Sequence, residues 1–164
     1  MKHFFILVFA IVYIFFGNEL GYTSSLPVWK HITYNFQHAT PIHLLMNSVS
    51  FYFIFRVLER YLAKIKIISI ALFVAFATSF LCRYDKPVVG ASGMIYAMLG
   101  IYLYLIFKKT IQMKNKQVLI IMLLSIAMFL AIGFFKHNTA ALLHLLCLAG
   151  GFFMMYVKTP EKFR

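Results

Sequence analysis

Charged side chains are scarce in this chain of 164 residues, and acidic ones are the scarcest. Only 12% of the residues are charged, and four Asp and Glu stand against 16 Lys and Arg. Hydrophobic residues make up 63% of the chain, and the mean hydropathy is +0.86. This composition leaves too little polar surface to cover a soluble globule, so it excludes an ordinary soluble domain and predicts a membrane protein.

Six apolar stretches predict an all-α, polytopic bundle. They cover approximately 3–17, 40–57, 66–82, 91–107, 118–135 and 139–157, each near the roughly 20 residues that a helix needs to cross a bilayer core of ~30 Å. The connections are too short for a separate domain, so we expect residues 1–164 to form one transmembrane domain. A secretory signal peptide is the alternative for the first stretch, which is short and follows Lys2.

The basic residues predict the orientation of this bundle. With six spans, twelve Lys and Arg fall at the ends that hold both termini, and four fall at the opposite ends. Short loops rich in Lys and Arg stay in the cytoplasm, so both termini are expected inside a cell membrane. The net charge of +12 then reports topology and contact with anionic lipid of the bilayer, and we expect no nucleic-acid partner.

Cysteine is also rare, with two residues, Cys82 and Cys147, both in apolar surroundings. They are expected to be buried free thiols and not a disulfide or a metal site. An HExxH pattern is absent, and no acidic residue falls at membrane depth. We therefore expect no metal and no cofactor.

A small set of polar side chains falls at one depth. The stretches 40–57, 91–107 and 139–157 run inward from the outer face, so distance from the start gives depth at ~1.5 Å per residue. By this measure His43, Asn47, Ser92 and His144 share a layer in the outer half of the bilayer. Polar groups at depth normally face the bundle interior or a wet cavity, which predicts a site that opens to the extracytoplasmic side.

Spacing within the stretches supports this site. His43 and Asn47 are four residues apart and share a helix face, as do Ser92 and Tyr96. Small residues recur along the stretch of Ser92, where neighbouring helices can approach closely. These are Gly90, Gly93, Ala97 and Gly100.

Serine and histidine together permit nucleophilic acyl chemistry. A neutral imidazole can take the hydroxyl proton, so Ser92 and His144 form a nucleophile and base pair. His43, Asn47 and the backbone N–H of Ser92 are the available donors for the negative charge that develops on a carbonyl oxygen. Because no carboxylate lies at this depth, we predict a dyad in which Tyr96 packs against the imidazole.

These residues, in this order, resemble the rhomboid family of intramembrane serine proteases. Gly90-Ala91-Ser92-Gly93 is similar to the family's GxSG motif, followed at its spacing by Tyr96 and Gly100. The other matching elements are His43 with Asn47 as the oxyanion element, His38 as a further histidine, Trp29-Lys30 in the first outer loop, Glu59-Arg60, and His144 with Gly151 on the catalytic helix. The resemblance implies a protease that cleaves transmembrane segments of membrane proteins.

Two features depart from the family pattern. Cys147 occupies a position where the family usually has glycine, which is expected to widen slightly the approach of the catalytic helices. The first outer loop, about 18–39, is short. Neither feature removes a catalytic group.

Structural roles are the alternatives for the same residues. Ser92 is then a packing residue, His144 an interhelical hydrogen-bond partner and Asn47 a structural amide, while His38 is expected to tether the outer loop. His3, His31 and His137 are expected at the surface or interface, most tyrosines are expected to be interface anchors or lipid-facing bulk, and Phe134 and Phe135 are a candidate gate. The alternative functions are an inactive scaffold that binds transmembrane clients and a histidine-based transporter, against which the missing acidic residues count.

Overall fold

Six helices account for most of the part of the chain that the computed structural model describes, which is residues 1–16, 19–23, 27–84, 86–111 and 140–157. They are α1 Lys2–Phe15, α2 Lys30–Thr33 with a 3-10 turn at Tyr34–Phe36, α3 Pro41–Leu58, α4 Lys64–Ser79, α5 Ser92–Phe107 and α6 Ala140–Val157. No strand forms within these ranges, where an isolated bridge pairs Tyr22 with Val88. The predicted span 118–135, with Phe134, Phe135 and His137, lies outside the described residues.

The other five predicted spans each correspond to one of the long helices, and no end differs by more than three residues. Local chemistry explains the sharpest boundary, at the start of α3. The side chain of Thr40 accepts a hydrogen bond of 3.1 Å from the backbone N–H of His43, and Pro41 occupies the first helical position. Such a cap satisfies a backbone donor that the helix cannot.

Large apolar side chains are exposed along several of the described helices. Among the described helices, Pro41–Leu58 and Ala140–Val157 are long and apolar enough to cross a bilayer, and Lys2–Phe15 and Ser92–Phe107 are shorter apolar helices. Ile42 is 74% exposed, Phe4 63% and Phe153 62%. Side chains of this size lying outward along several helices suit a lipid solvent.

Helix α5 lies at the centre and packs against α3, α4 and α6. Its contact with α6 is backbone to backbone. A Cβ added to Gly100 would lie 2.0 Å from the carbonyl oxygen of Leu148, and one added to Gly151 would lie 2.0 Å from that of Ala97. The two backbones are therefore in direct contact at Gly100 and Gly151.

The end of the bundle at which α3 finishes carries an ion pair. The Lys2 ammonium pairs with the Glu59 carboxylate, which ties the start of α1 to the end of α3. Behind this pair the rings of Phe5, Phe9 and Phe51 pack against one another, with centroids 5.5 to 6.3 Å apart. The starts of α3, α5 and α6 therefore define the other end, where the polar layer lies.

Candidate active site

Ser92 and His144 are in contact. Ser92 is the first residue of α5 and His144 is the fifth of α6, and the close packing of these helices places His144 Nε2 2.8 Å from Ser92 Oγ. The ring of Tyr96 stacks on the imidazole at a centroid distance of 4.4 Å and an interplanar angle of 9°. One turn of α5 thus supplies both the hydroxyl and the flat surface that orients the imidazole.

Gly90 shapes the turn that leads into this serine. Its φ is +121°, a region that favours glycine. A Cβ at this position would lie 2.7 Å from Cε1 and 2.8 Å from Nε2 of His43, and its N–H donates to the carbonyl of Tyr34 at 2.9 Å. Only a residue without a side chain lets the backbone pass beneath the His43 ring.

Gly93 lies on the other side of Ser92, where space is also limited. A Cβ there would lie 3.1 Å from the Tyr34 hydroxyl and 3.5 Å from both the Ala75 methyl and Cys147 Sγ. Gly93 therefore lies where α4, α6 and the outer loop come together behind the serine.

His43 and Asn47 occupy successive turns of α3 on the face toward the serine. Asn47 is 6% exposed, and its Nδ2 donates to the carbonyl of His43 at 2.9 Å. The amide nitrogen carries two hydrogens, and this bond uses one of them. Asn47 is therefore a helix-bound amide, as the structural alternative has it, with one amide hydrogen that this bond does not use.

A cavity of about 390 Å³ brings these groups together between α3, α5 and α6. Its walls are mainly apolar, with a few hydrogen-bonding groups, which is typical of sites that bind an organic ligand in a fixed orientation. The lining residues are His43, Met46, Asn47, Ser50, Ile54, Ser92, Ile95, Tyr96, Leu99 and His144.

His38 does not line this cavity. It is 1% exposed, and its ring lies 5.3 Å from the ring of His43 and 5.3 Å from that of Phe9. Burial, and to a lesser extent the neighbouring His43, lower the pKa of His38 to about 4. His38 is thus a buried imidazole packed beside His43 and away from the cavity. That it tethers the outer loop stays a prediction.

The prediction that His31 lies at the surface is wrong. It is 7% exposed, its Nδ1 lies 2.7 Å from Ser79 Oγ, and its ring stacks on Phe80 at 4.0 Å. The hydroxyl of Ser79 donates to the carbonyl of Phe76, so it accepts from the imidazole. Helix α2 has only four residues, too few for a periodic pattern that reveals a buried face. His3 is exposed, as predicted.

Two tyrosines also have roles that sequence reasoning missed. The hydroxyl of Tyr34 donates to the carbonyl of Ala75 at 3.1 Å, and that of Tyr22 donates to the carbonyl of Ser79 at 2.8 Å. The backbone of Tyr22 pairs with Val88 through two hydrogen bonds. The outer loop is thereby pinned to α4 and to the segment just before Ser92. The expectation that the tyrosines are mostly interface anchors or lipid-facing bulk fails for these two.

Apolar helices whose polar side chains line a shared cavity are typical of a helical membrane protein with an internal site. Comparison with known proteins specifies the class. The family model of the rhomboid domain matches residues 25–161, and the chain therefore belongs to the rhomboid family.

Two relatives illustrate the likeness. YdcA of Bacillus subtilis, provisionally named a rhomboid protease, is 29% identical over 153 residues that cover 90% of this chain and 75% of YdcA. The rhomboid protease GlpG of Haemophilus influenzae is 26% identical over 106 residues, 58% of this chain and 55% of GlpG. These names support the assignment of this chain to a family of membrane proteases.

Proposed function

We propose that this protein is an intramembrane serine endopeptidase in which Ser92 and His144 form the catalytic dyad. The contact of 2.8 Å between His144 Nε2 and Ser92 Oγ carries the proposal. It joins a nucleophile to a base across two helices, and the stacked ring of Tyr96 restricts the imidazole to a plane that includes this contact. The names of the two relatives support the peptidase class.

The proposed reaction proceeds in two acyl-transfer steps. His144 Nε2 takes the Ser92 hydroxyl proton as Oγ attacks the scissile carbonyl carbon, and it then gives that proton to the leaving amide nitrogen. Water next attacks the acyl-enzyme, with His144 again as base, and the proton returns to Ser92 Oγ as the new carboxyl group departs. Each step begins and ends with the dyad neutral.

Donors are needed for the oxyanion that forms in both steps. Asn47 Nδ2, the His43 ring and the backbone N–H of Ser92 are the proposed donors. The cavity lining supports this assignment, because His43 and Asn47 share one cavity with Ser92. Each such donor is worth roughly 3 kcal/mol of barrier in hydrolases of this kind.

The proposed substrates are transmembrane segments of other membrane proteins in the same bilayer. A helix hides its carbonyl groups in hydrogen bonds, so cleavage is expected where residues weaken the substrate helix. The proposed arrangement has six spans with both termini in the cytoplasm and the site open to the extracytoplasmic side. In support, the Lys2–Glu59 pair lies at one end of α3 and the site lies at the other.

The test is covalent labelling of the purified protein by a fluorophosphonate, which reacts with activated serines. The wild-type protein should be labelled at a single residue, Ser92, identified by mass spectrometry. Ser92→Ala should abolish labelling, and His144→Ala should slow it by at least about 10³-fold. Ser50→Ala is the matched control, because Ser50 lines the same cavity and no role in the reaction is proposed for it. Folded wild-type protein that stays unlabelled would refute the proposal and favour a scaffold that binds transmembrane clients.

A further inference from the structure

A hydrogen bond between sulfur and oxygen joins α4 to α6 directly behind the Ser92–His144 pair. Thr78 Oγ1 lies 3.0 Å from Cys147 Sγ. Thr78 is 8% exposed and Cys147 is fully buried. Neither side chain lines the cavity, so the role of this contact lies in how the helices are held.

The direction of the bond follows from counting hydrogens. Thr78 Oγ1 also lies 2.7 Å from the carbonyl oxygen of Val74, an acceptor that has no hydrogen to give. A hydroxyl has one hydrogen and two lone pairs. The Thr78 hydrogen therefore goes to Val74, and the thiol of Cys147 donates to the Thr78 oxygen. Through this chain a side chain of α6 is anchored to the backbone of α4.

The position of Cys147 relates this anchor to the dyad. Cys147 lies three residues after His144 and so on the same face of α6. Its sulfur is 3.5 Å from the point where a Cβ of Gly93 would be, and Gly93 directly follows Ser92. One thiol thus faces the backbone beside the serine and lies one turn from the histidine.

We propose that Cys147 is a positioning residue, whose bond to Thr78, beside Gly93, holds α6 in the rotation at which His144 reaches Ser92. This assignment rests on the proposed function, since it concerns the geometry of the proposed dyad. Without the bond, α6 has more freedom to rotate and slide along the smooth seam made by Gly100 and Gly151. A small rotation displaces the imidazole from Ser92 Oγ.

The test compares Cys147→Ala, Cys147→Ser and Thr78→Val in the fluorophosphonate assay. The rate and the endpoint of labelling are recorded separately, because a misplaced His144 slows the reaction while every molecule still reacts in the end. We expect Cys147→Ala and Thr78→Val each to slow labelling roughly three- to tenfold at a full endpoint. Cys147→Ser keeps a donor and should return the rate to within about twofold of the wild type. The double variant, Cys147→Ala with Thr78→Val, should be labelled no more slowly than the slower of the two single variants.

Cys82→Ala is the matched control, because Cys82 is a second buried thiol and lies in the loop after α4. Its labelling rate should equal that of the wild type. Wild-type rates in both Cys147→Ala and Thr78→Val would overturn the positioning role and leave the proposed function intact. So would a lower endpoint at an unchanged rate, which is the behaviour of a purely structural residue. An unlabelled wild-type protein would overturn both proposals.

Discussion

Gly151→Ala is the most direct test of the idea that the contact of α5 and α6 sets the dyad geometry. The added Cβ would lie 2.0 Å from the carbonyl oxygen of Ala97, and ordinary contact begins at 3.4 Å. The obstacle is backbone, which cannot rotate away as a side chain can. The two helices therefore have to separate at this point by about 1.4 Å, the difference between these distances.

The consequence for the site can be estimated from the same numbers. Gly151 lies seven residues, or about 10 Å, along α6 from His144. Even half of this separation at His144 would stretch the contact of 2.8 Å with Ser92 to about 3.5 Å, beyond a useful hydrogen bond. We expect labelling to slow by roughly 10- to 100-fold. Overpacking should cost about 1–3 kcal/mol of stability.

Gly150→Ala is the matched control, because it gives the same gain in helix propensity, about 1 kcal/mol, on the same helix. Its Cβ would lie 2.8 Å from a methyl group of Val74, and its other neighbours would be 3.6 Å away or more. The obstacle here is a valine methyl group on α4 and not the backbone of α5, so a smaller effect on the labelling rate than that of Gly151→Ala is expected. The labelling rate measures the effect on the dyad. The fall of the labelling endpoint after heating in detergent measures the effect on stability. A wild-type rate in Gly151→Ala would refute the link between helix separation and the dyad.

Two further predictions concern the ends of the bundle. Gly90→Ala places a Cβ on a residue with a φ of +121° and 2.7 Å from the ring of His43. Thermal unfolding should show that the free energy of unfolding falls by about 1–3 kcal/mol. An unchanged melting temperature would contradict this geometry. At the other end, the hydrogen bond from Lys2 lowers the pKa of Glu59 below its ordinary 4.5. A lowered pKa means that the pair stabilises the fold above this value and that the contribution disappears as the pH falls through the folded pKa. Near pH 7 the free energy of unfolding of Glu59→Gln should therefore be lower than that of the wild type, by at most about 1 kcal/mol because the pair is partly exposed. Near pH 3 the two proteins should be equally stable. A stability difference that grows in acid would contradict this assignment.

Much of the site was visible in the sequence because it depends on spacing within single helices. Ser92 with Tyr96, and His43 with Asn47, share a face whatever the helices do, since four residues make about one turn. Depth in a bilayer is equally local, because it follows from counting residues from the start of an apolar stretch. The glycine before the serine belongs to the same group, and the structure adds the reason for it in the ring of His43 above Gly90.

Contacts between distant segments could not be predicted in this way. Four hydrogen bonds of this kind join residues 41 to 69 positions apart. They are those of His31 with Ser79, of Tyr22 and Tyr34 with the backbone of α4, and of Cys147 with Thr78. No periodic pattern encodes them, because each needs two elements to be packed at a particular rotation. A short loop helix and a thiol within an apolar stretch look the same in sequence whether or not they have a partner.

The sequence by itself predicted a membrane bundle with four polar groups at one depth, because hydropathy and helical period are properties of neighbouring residues. Only the tertiary structure decided that His144 Nε2 meets Ser92 Oγ at 2.8 Å and that Tyr96 stacks on the imidazole. The physical reason is the seam between α5 and α6, where Gly100 and Gly151 allow two backbones to touch. Equal depth brings two residues into one layer, and only this close packing brings them into contact.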